Sequence, residues 1–524
     1  MKARQVRHSI KILLILWLIG LSVQLSAQED YYSAYTIFVE RYLGLSQGNK
    51  IFTRTGEMLA AMMQNTGQRE YVESIKNKKQ FKLEDLLFLL FQNNPSIQSA
   101  RQSVMVAHGN LQGAKAQRLP VFKLETSGTY IGNPVDPIVI KKGEFGIVDN
   151  QLTPGTSVYL PPEDVKIYQG MENTLYQFKI VGDMPLWTWG KISLGIDAGY
   201  VNIQAAELYV KKIIHEKSIR LRGIFESLCY IKEIENILKL EQKIGARLLE
   251  LTEQNKKAGF ITETDYLTIK INIKEIDLAV SVLNEKKQKL LTELAALTGL
   301  KSLTMESLSL ELLPIEVLPL TDLDTLRELT LYNNYDILLG SIYLEAKQIL
   351  VEIAQIQAKG LPDLGLHLEV SYSGPRFPFI ETDWARKDDY QITISIATQG
   401  NIFGSPGKKA EAEKARAELE EGRVKLEEGK ANLILTLDQT MSALNMLVTR
   451  IEYAMLKQEL YVAQLASKKV TISMGSGSEA DFLNEMLKAL SALSEAYSHY
   501  IDYRTQLLTI DILEGGYEKR DSSL

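Results

Sequence analysis

Much of this chain is written twice, and that constrains its fold more than anything else in it. Gly259-Phe260-Ile261-Thr262-Glu263-Thr264-Asp265-Tyr266-Leu267 returns 216 residues later as Gly475-Ser476-Gly477-Ser478-Glu479-Ala480-Asp481-Phe482-Leu483. At the same offset, Leu297-Thr298-Gly299 falls on Leu513-Glu514-Gly515. Upstream, Asn93-Asn94-Pro95-Ser96-Ile97 matches Asn333-Asn334-Tyr335-Asp336-Ile337. Likewise Leu119-Pro120, with Tyr130 ten residues on, matches Leu361-Pro362 with Tyr372. Landmarks in one order over two copies mark an internal duplication. The expected organisation is repeat one over 82–299, a linker over 300–321 carrying Pro314 and Pro319, repeat two over 322–515 and a tail over 516–524.

Each repeat reads as helix, strand, loop, strand, very long helix, helix. The first helix is expected over 83–118 in one copy and 322–359 in the other. Strict alternation predicts strands over about 120–130 and 176–186, then 362–372 and 390–398. In the last, Tyr390, Ile392, Ile394 and Ile396 share a face opposite Gln391, Thr393 and Ser395. All four segments have the length of a tilted strand crossing a bilayer. An ordinary half-buried soluble sheet would alternate in the same way. The 131–175 segment, with Pro134, Pro137, Pro154, Pro161 and Pro162, reads as an irregular loop. The long helices start near Gly190-Lys191 and Gly407-Lys408 and run without proline to Gly259 and Gly475. At about 1.5 Å per residue each would span roughly 100 Å. Leu437, Met441, Leu444, Val448, Ile451 and Met455 form a seam of alternating four- and three-residue steps, the pattern of a coiled coil.

The amino terminus adds a compartment. Lys2, Arg4, Arg7 and Lys11 precede the apolar run Ile12 to Leu21, and Ser26-Ala27 offers small residues for cleavage. This is the layout of a secretory signal peptide over 1–27, followed by an extension over 28–81 with no legible role. The signal takes four basic and no acidic residues from totals of 59 and 65, leaving 55 against 65. That acidic balance argues against a nucleic-acid partner, which needs a basic stripe. The single cysteine, Cys229, can form no disulfide within the chain. No later run reaches the roughly 18 consecutive apolar residues of a membrane helix. Four strands cannot stand alone in lipid, because their edges would leave backbone groups unpaired in hydrocarbon. A barrel shared among several copies removes the edges.

The pattern resembles the TolC family of outer-membrane efflux and secretion proteins over about residues 82–515. The features that carry the resemblance are Asn94-Pro95, the pre-strand prolines Pro120 and Pro362, and the Gly-Lys helix starts at 190 and 407. The Gly-x5-Asp-x-Leu turns at Gly259 and Gly475 and the closing Gly299 and Gly515 complete the set. The resemblance implies a mainly α fold with membrane strands: a trimeric, twelve-stranded β-barrel in the outer membrane, continued by a periplasmic α-helical tunnel. It also implies a passive exit duct that meets a periplasmic adaptor and an inner-membrane transporter, with no cofactor and no enzymatic activity. Asp481 matches the family's aspartate at the narrow periplasmic mouth. A second family aspartate is Asn484 here, and a gating tyrosine and arginine are Ile472 and Gly477. The hairpin residues Gly259, Thr262, Asp265, Gly475 and Ser478 are the expected adaptor contacts.

Other readings find less support. His108, His215, His367 and His499 are far apart in sequence and lack metal-ligand spacing. Gly404-Ser405-Pro406-Gly407-Lys408 resembles a phosphate loop but lacks the earlier glycine and the hydroxyl residue after the lysine. It reads as a strand-to-helix turn. Thr262-x-x-Asp265 and Ser478-x-x-Asp481 read as capping boxes. A periplasmic adaptor is the alternative function, but one would carry a single helical hairpin without paired membrane-length strands. A surface adhesion protein would need an external binding domain, and only 131–175 could supply it.

Overall fold

The computed structural model describes residues 80–149, 157–168, 170–311, 322–381, 387–399, 406–474 and 478–515. The signal peptide, nearly all of the 28–81 extension, Pro314, Pro319, Gly404, Gly475, Gly477 and the tail lie outside the described residues. The chain divides into two compact units that cut across both repeats. One holds Ala205–Ser341 and the stretches up to Val104 and from Val424 onward; the other holds Met105–Gln204 and Ile342–Arg423.

The second unit is built on an antiparallel sheet. Its strands are β1 (Val121–Tyr130), β6 (Thr174–Trp187), β7 (Asp363–Gly374) and β8 (Tyr390–Gln399), in the order β1-β6-β7-β8. Between β1 and β6 lie β2 (Ile138–Ile140), β3 (Gly146–Asp149), β4 (Ser157–Leu160) and β5 (Val165–Tyr168). β2 pairs with β5 and β3 with β4, so the segment expected to be irregular is a nested hairpin arm. Its β-branched runs are short, and Pro134, Pro137, Pro161 and Pro162 fall between the strands, where their missing N–H groups cost no ladder bonds.

Register aligns like with like across the large sheet. Leu124, Ile180, Val370 and Ile392 form one row, and Phe122, Gly182, Leu368 and Ile394 the next. On the other face, Glu125, Lys179, Ser371 and Gln391 form a row, and Lys123, Val181, Glu369 and Thr393 another. The apolar face is left open: Ile392 and Ile394 are each 70% exposed and Leu124 is 68% exposed. Aromatic rings mark both ends of this sheet. Phe178, Tyr372 and Tyr390 cluster at one end with centroids 6.4 and 5.7 Å apart. Trp187 and Trp189 meet at the other, 6.1 Å apart.

Two long helices belong partly to each unit: α3 (Lys191–Lys257, 67 residues) and α7 (Pro406–Ser473, 68 residues). At the start of α3 the chain turns through Trp189 and Gly190, both at positive φ. The Trp189 Nε1–H donates to the Pro362 carbonyl at 2.7 Å, and Lys191 pairs with Asp363, so each repeat's strand–helix junction holds the other's.

The helical unit is assembled twice by one device. Helices α1 (Leu83–Asn93) and α2 (Pro95–Ala116), expected as one, part at Asn94; α5 (Leu323–Asn333) and α6 (Tyr335–Ala358) part at Asn334. Both asparagines take extended backbone angles. Proline requires this of Asn94, but Tyr335 does not require it of Asn334. The side chain supplies the common cause. Asn334 Oδ1 accepts from the backbone N–H groups of Asp336 and Ile337, capping α6, while its Nδ2 donates to the Leu513 carbonyl at 2.8 Å. Asn94 makes the same three bonds, to Ser96, Ile97 and Leu297. The carbonyls belong to the last turns of α4 (Glu263–Thr298) and α8 (Glu479–Glu514), which end at Gly299 and Gly515 with φ of 71° and 67°. A Cβ on Gly515 would lie 2.2 Å from the Asn333 carbonyl oxygen, so the closing glycine is a steric requirement.

Around these joints lie two cores. One gathers Leu86, Leu90, Ile97, Leu221, Ile224 and Leu294, with Leu303, Leu308 and Leu310 from the start of the linker. The other gathers Tyr230, Ile231, Leu326, Leu437, Leu444, Tyr500 and Tyr503. Of the predicted α7 seam, Leu437, Met441, Leu444 and Ile451 are buried and Val448 partly so, but Met455 is 40% exposed and Ala454 takes the inner position. A straight helix of 3.6 residues per turn drifts off a seven-residue repeat in this way. Asn334→Ala should cost about 1–3 kcal/mol, because it strips partners from buried backbone groups at two helix ends. Asn334→Asp keeps the acceptor but sets a buried carboxylate against the Leu513 carbonyl, so it should destabilise as well. Denaturant unfolding in detergent checks both.

Candidate functional site

The helical unit orders its four long segments through side-chain contacts. α4 lies on α3 through Gln242–Asp277 and Lys287–Glu235, and Gly245 faces Ile273 and Ile276. α3 lies on α8 through the ring pair Tyr230–Tyr500 and the buried pair Arg504–Glu226 at 2.9 Å. α8 lies on α7 through Lys457–Glu495. The series is therefore α4-α3-α8-α7, with α4 and α7 at its ends. Both end helices carry exposed apolar stripes: Leu267, Ile271, Leu278 and Val282 on α4, and Met446, Tyr453, Leu456 and Leu460 on α7.

The two hairpin turns match in sequence and differ in bonding. At the first, Gly259 sits at φ 79° and Phe260 is 81% exposed. Thr262 caps α4: its Oγ1 accepts from the Asp265 N–H at 3.1 Å, and Asp265 Oδ2 accepts from the Thr262 Oγ1–H at 2.7 Å and N–H at 3.1 Å. The Thr262 hydroxyl, then the Thr262 N–H, holds the Asp265 carboxyl below its ordinary range. At the second turn Ser478 occupies the N-cap position without a side-chain capping bond, which corrects the paired capping-box reading. Asp481 Oδ2 lies 3.8 Å from Lys468 of α7. Glu479 pairs with Arg247 of α3 at 3.1 Å. The second turn's acids are thus spent on neighbouring helices. Asp481 and Asn484 are both exposed.

No protein-family model and no curated protein matches this chain. Solved structures do. The outer membrane protein VceC of Vibrio cholerae aligns at a TM-score of 0.62 and 18% identity, over 83% of this chain and 96% of VceC. The CmeC outer membrane channel of Campylobacter jejuni gives 0.62 and 16%, over 86% and 89%. The MtrE outer membrane channel of Neisseria gonorrhoeae, in its open state, gives 0.62 and 14%, over 84% and 90%.

The fold is that of the TolC family.

Within the TolC fold, the structure brings Thr262 and Asp265 together and leaves Ser478 and Asp481 apart. Cys229 is buried, and burial pushes its thiol up to about 11. Among the described residues no helix is long and apolar enough to cross a membrane, and no group of three or more His, Cys, Asp and Glu residues could hold a metal ion. Sequence reasoning missed a charged cluster on the polar sheet face. His367 Nδ1–H donates to Asp183 Oδ1 at 2.7 Å, His367 Nε2 lies 3.5 Å from Glu369 Oε2, and Lys179 pairs with Glu369 at 2.9 Å. Only the strand register, across 184 positions, reveals it. Thr262→Ala should weaken the first turn of α4 by about 1 kcal/mol, whereas Ser478→Ala should do far less to α8. Asp265's depressed carboxyl contributes stability above its unfolded pKa that is lost as pH falls through the folded value. Hydrogen exchange at α4's first turn should therefore quicken relative to intrinsic rates on acidification in the wild type, and less so in Thr262→Ala, which loses the hydroxyl bond to Asp265 but keeps the backbone one.

Proposed function

We propose that this chain is one subunit of an outer-membrane channel that acts as a passive exit duct. The observation that carries the reading is the sheet: an exposed apolar face bounded at both ends by aromatic rings. Phe178 and Trp187 stand nine positions apart on β6, roughly 30 Å at about 3.3 Å per residue. Tilted by about 40°, that length rises roughly 23 Å, close to the roughly 25 Å apolar band and flanking aromatic girdles of outer-membrane barrels. The opposite face, with Glu125, Lys179, His367 and Glu369, then meets water.

The edge strands β1 and β8 pair with neighbouring copies, and three copies make twelve strands. The stripes on α4 and α7 fit the same ring. They differ from one another and lie at opposite ends of the helix series, so copy-to-copy contact is heterologous, the type that closes a ring. The helical part stands in the periplasm, and its hairpin turns at Gly259, Thr262, Asp265, Gly475 and Ser478 meet an adaptor. The adaptor joins the duct to an inner-membrane transporter in a tripartite efflux or type I secretion system. Asp481 and Asn484 belong to the periplasmic constriction. VceC, CmeC and MtrE, as outer membrane proteins of this fold, support the reading.

Strand facing provides the test. Ile394→Lys places a charge in lipid, at about 2–4 kcal/mol near the midplane, and should abolish membrane insertion and conductance in planar bilayers. Thr393→Lys, on the water face, should insert and conduct. Equal behaviour of the two variants would contradict the barrel.

A further inference from the structure

The cluster on the polar sheet face joins β6 to β7 through side chains, in addition to the backbone ladder. Its geometry fixes a charge state. An ionised carboxylate only accepts hydrogen bonds, so the 2.7 Å contact to Asp183 requires a proton on His367 Nδ1. A neutral ring would then aim its Nε2 lone pair at Glu369 Oε2, 3.5 Å away, lone pair against anion. The imidazolium, with a proton on each nitrogen, satisfies both sides. Lys179 completes an alternating line, Lys179–Glu369–His367–Asp183, across β6 and β7.

The strand register accounts for everything else that faces the ring. On β6, Asp183 is directly opposite His367 and Val181 opposite Glu369. On β8, Ser395 is opposite His367 and Thr393 opposite Glu369, neither charged. On β1, Glu125 lies across from Lys179, Lys123 across from Val181 in one row with Glu369, and Val121 across from Asp183, so the two β1 charges offset each other. The line is electroneutral while His367 keeps its proton and carries a net negative charge in every copy once the proton leaves. The ring is 34% and Glu369 21% exposed, so both are open to solvent on this face.

We propose that the proton on His367 sets the ion preference of the duct: the protonated line is indifferent to ion sign, and the deprotonated line selects cations. This rests on the reading above, in which the polar face lines the water-filled barrel. Each copy contributes one such line at the same height, so loss of the proton creates a ring of negative charge around one axis. A narrow aqueous passage lined by charges of one sign concentrates counter-ions.

Reversal potentials of the full chain in planar bilayers, under a potassium chloride gradient, test this from about pH 5.5 to about pH 9, the range spanning histidine titration. The wild type should shift towards cation selectivity as pH rises. His367→Gln, which can still donate to Asp183 but carries no charge, should be cation-selective throughout, with no shift. His367→Lys, permanently charged at this position, should lack the shift at the low-selectivity end. A conducting wild type with no shift, or a His367→Gln variant that shifts as the wild type does, overturns the role of His367 and leaves the duct standing. A wild type that inserts but conducts nothing overturns the duct and the proposal with it.

Discussion

The backbone groups along the outer edges of β1 and β8 govern what this chain can be. A four-stranded sheet with ten or more residues in every strand exposes two long rows of N–H and C=O groups. In water such edges invite aggregation; in hydrocarbon each unpaired group costs several kcal/mol. Neither β1 nor β8 has a bulge to blunt pairing, and the charges on β1, Lys123 and Glu125, lie on the polar face of the sheet. Its single register shift lies between β6 and β7, at Pro185. In the proposed assembly, copies of the same chain supply the strands that pair with both edges. The exposed stripes on α4 and α7 set the same demand on the helices.

Duplication meets that demand economically. Each repeat supplies two strands, one very long helix and one return helix, and closes on itself through an asparagine and a glycine. The Asn94 and Asn334 side chains each cap one helix start and satisfy a carbonyl at another helix's end. Because the side chain sets the break, repeat two dispenses with the proline that repeat one carries. Tyr335 packs against His215 instead, with ring centroids 5.5 Å apart and planes tilted by 59°. The duplicated hairpin turns have diverged in the opposite sense: the residue string is retained and the bonding is not. Where Asp265 serves its own helix, Asp481 reaches towards Lys468.

Much of this architecture was legible before any coordinates. Strand alternation at 120–130, 176–186, 362–372 and 390–398 is local, so it survives in a single sequence, as does the absence of proline from the long helices. The break at Asn334 was not legible, because no proline follows it and its cause is a hydrogen bond to Leu513, 179 positions away. The β2–β5 arm was obscured by prolines that proved to lie between its strands. Of the site residues, Thr262 and Asp265 could be read, since a capping box is four consecutive residues. At Ser478 the same spacing carries no capping bond, and Asp481 lies near a lysine on another helix. The Asp183–His367–Glu369 line lies at the far limit of such reading: every member is visible in the sequence, and nothing there says which strands are neighbours.

If the open edges of β1 and β8 dictate the assembly, the chain cannot be stable in a membrane by itself. Native mass measurement of the detergent-extracted protein tests this most directly. The account predicts a complex of three chains and no folded single chain. A stable, membrane-inserted monomer would contradict it, because four strands would then be standing in lipid with both edges unpaired.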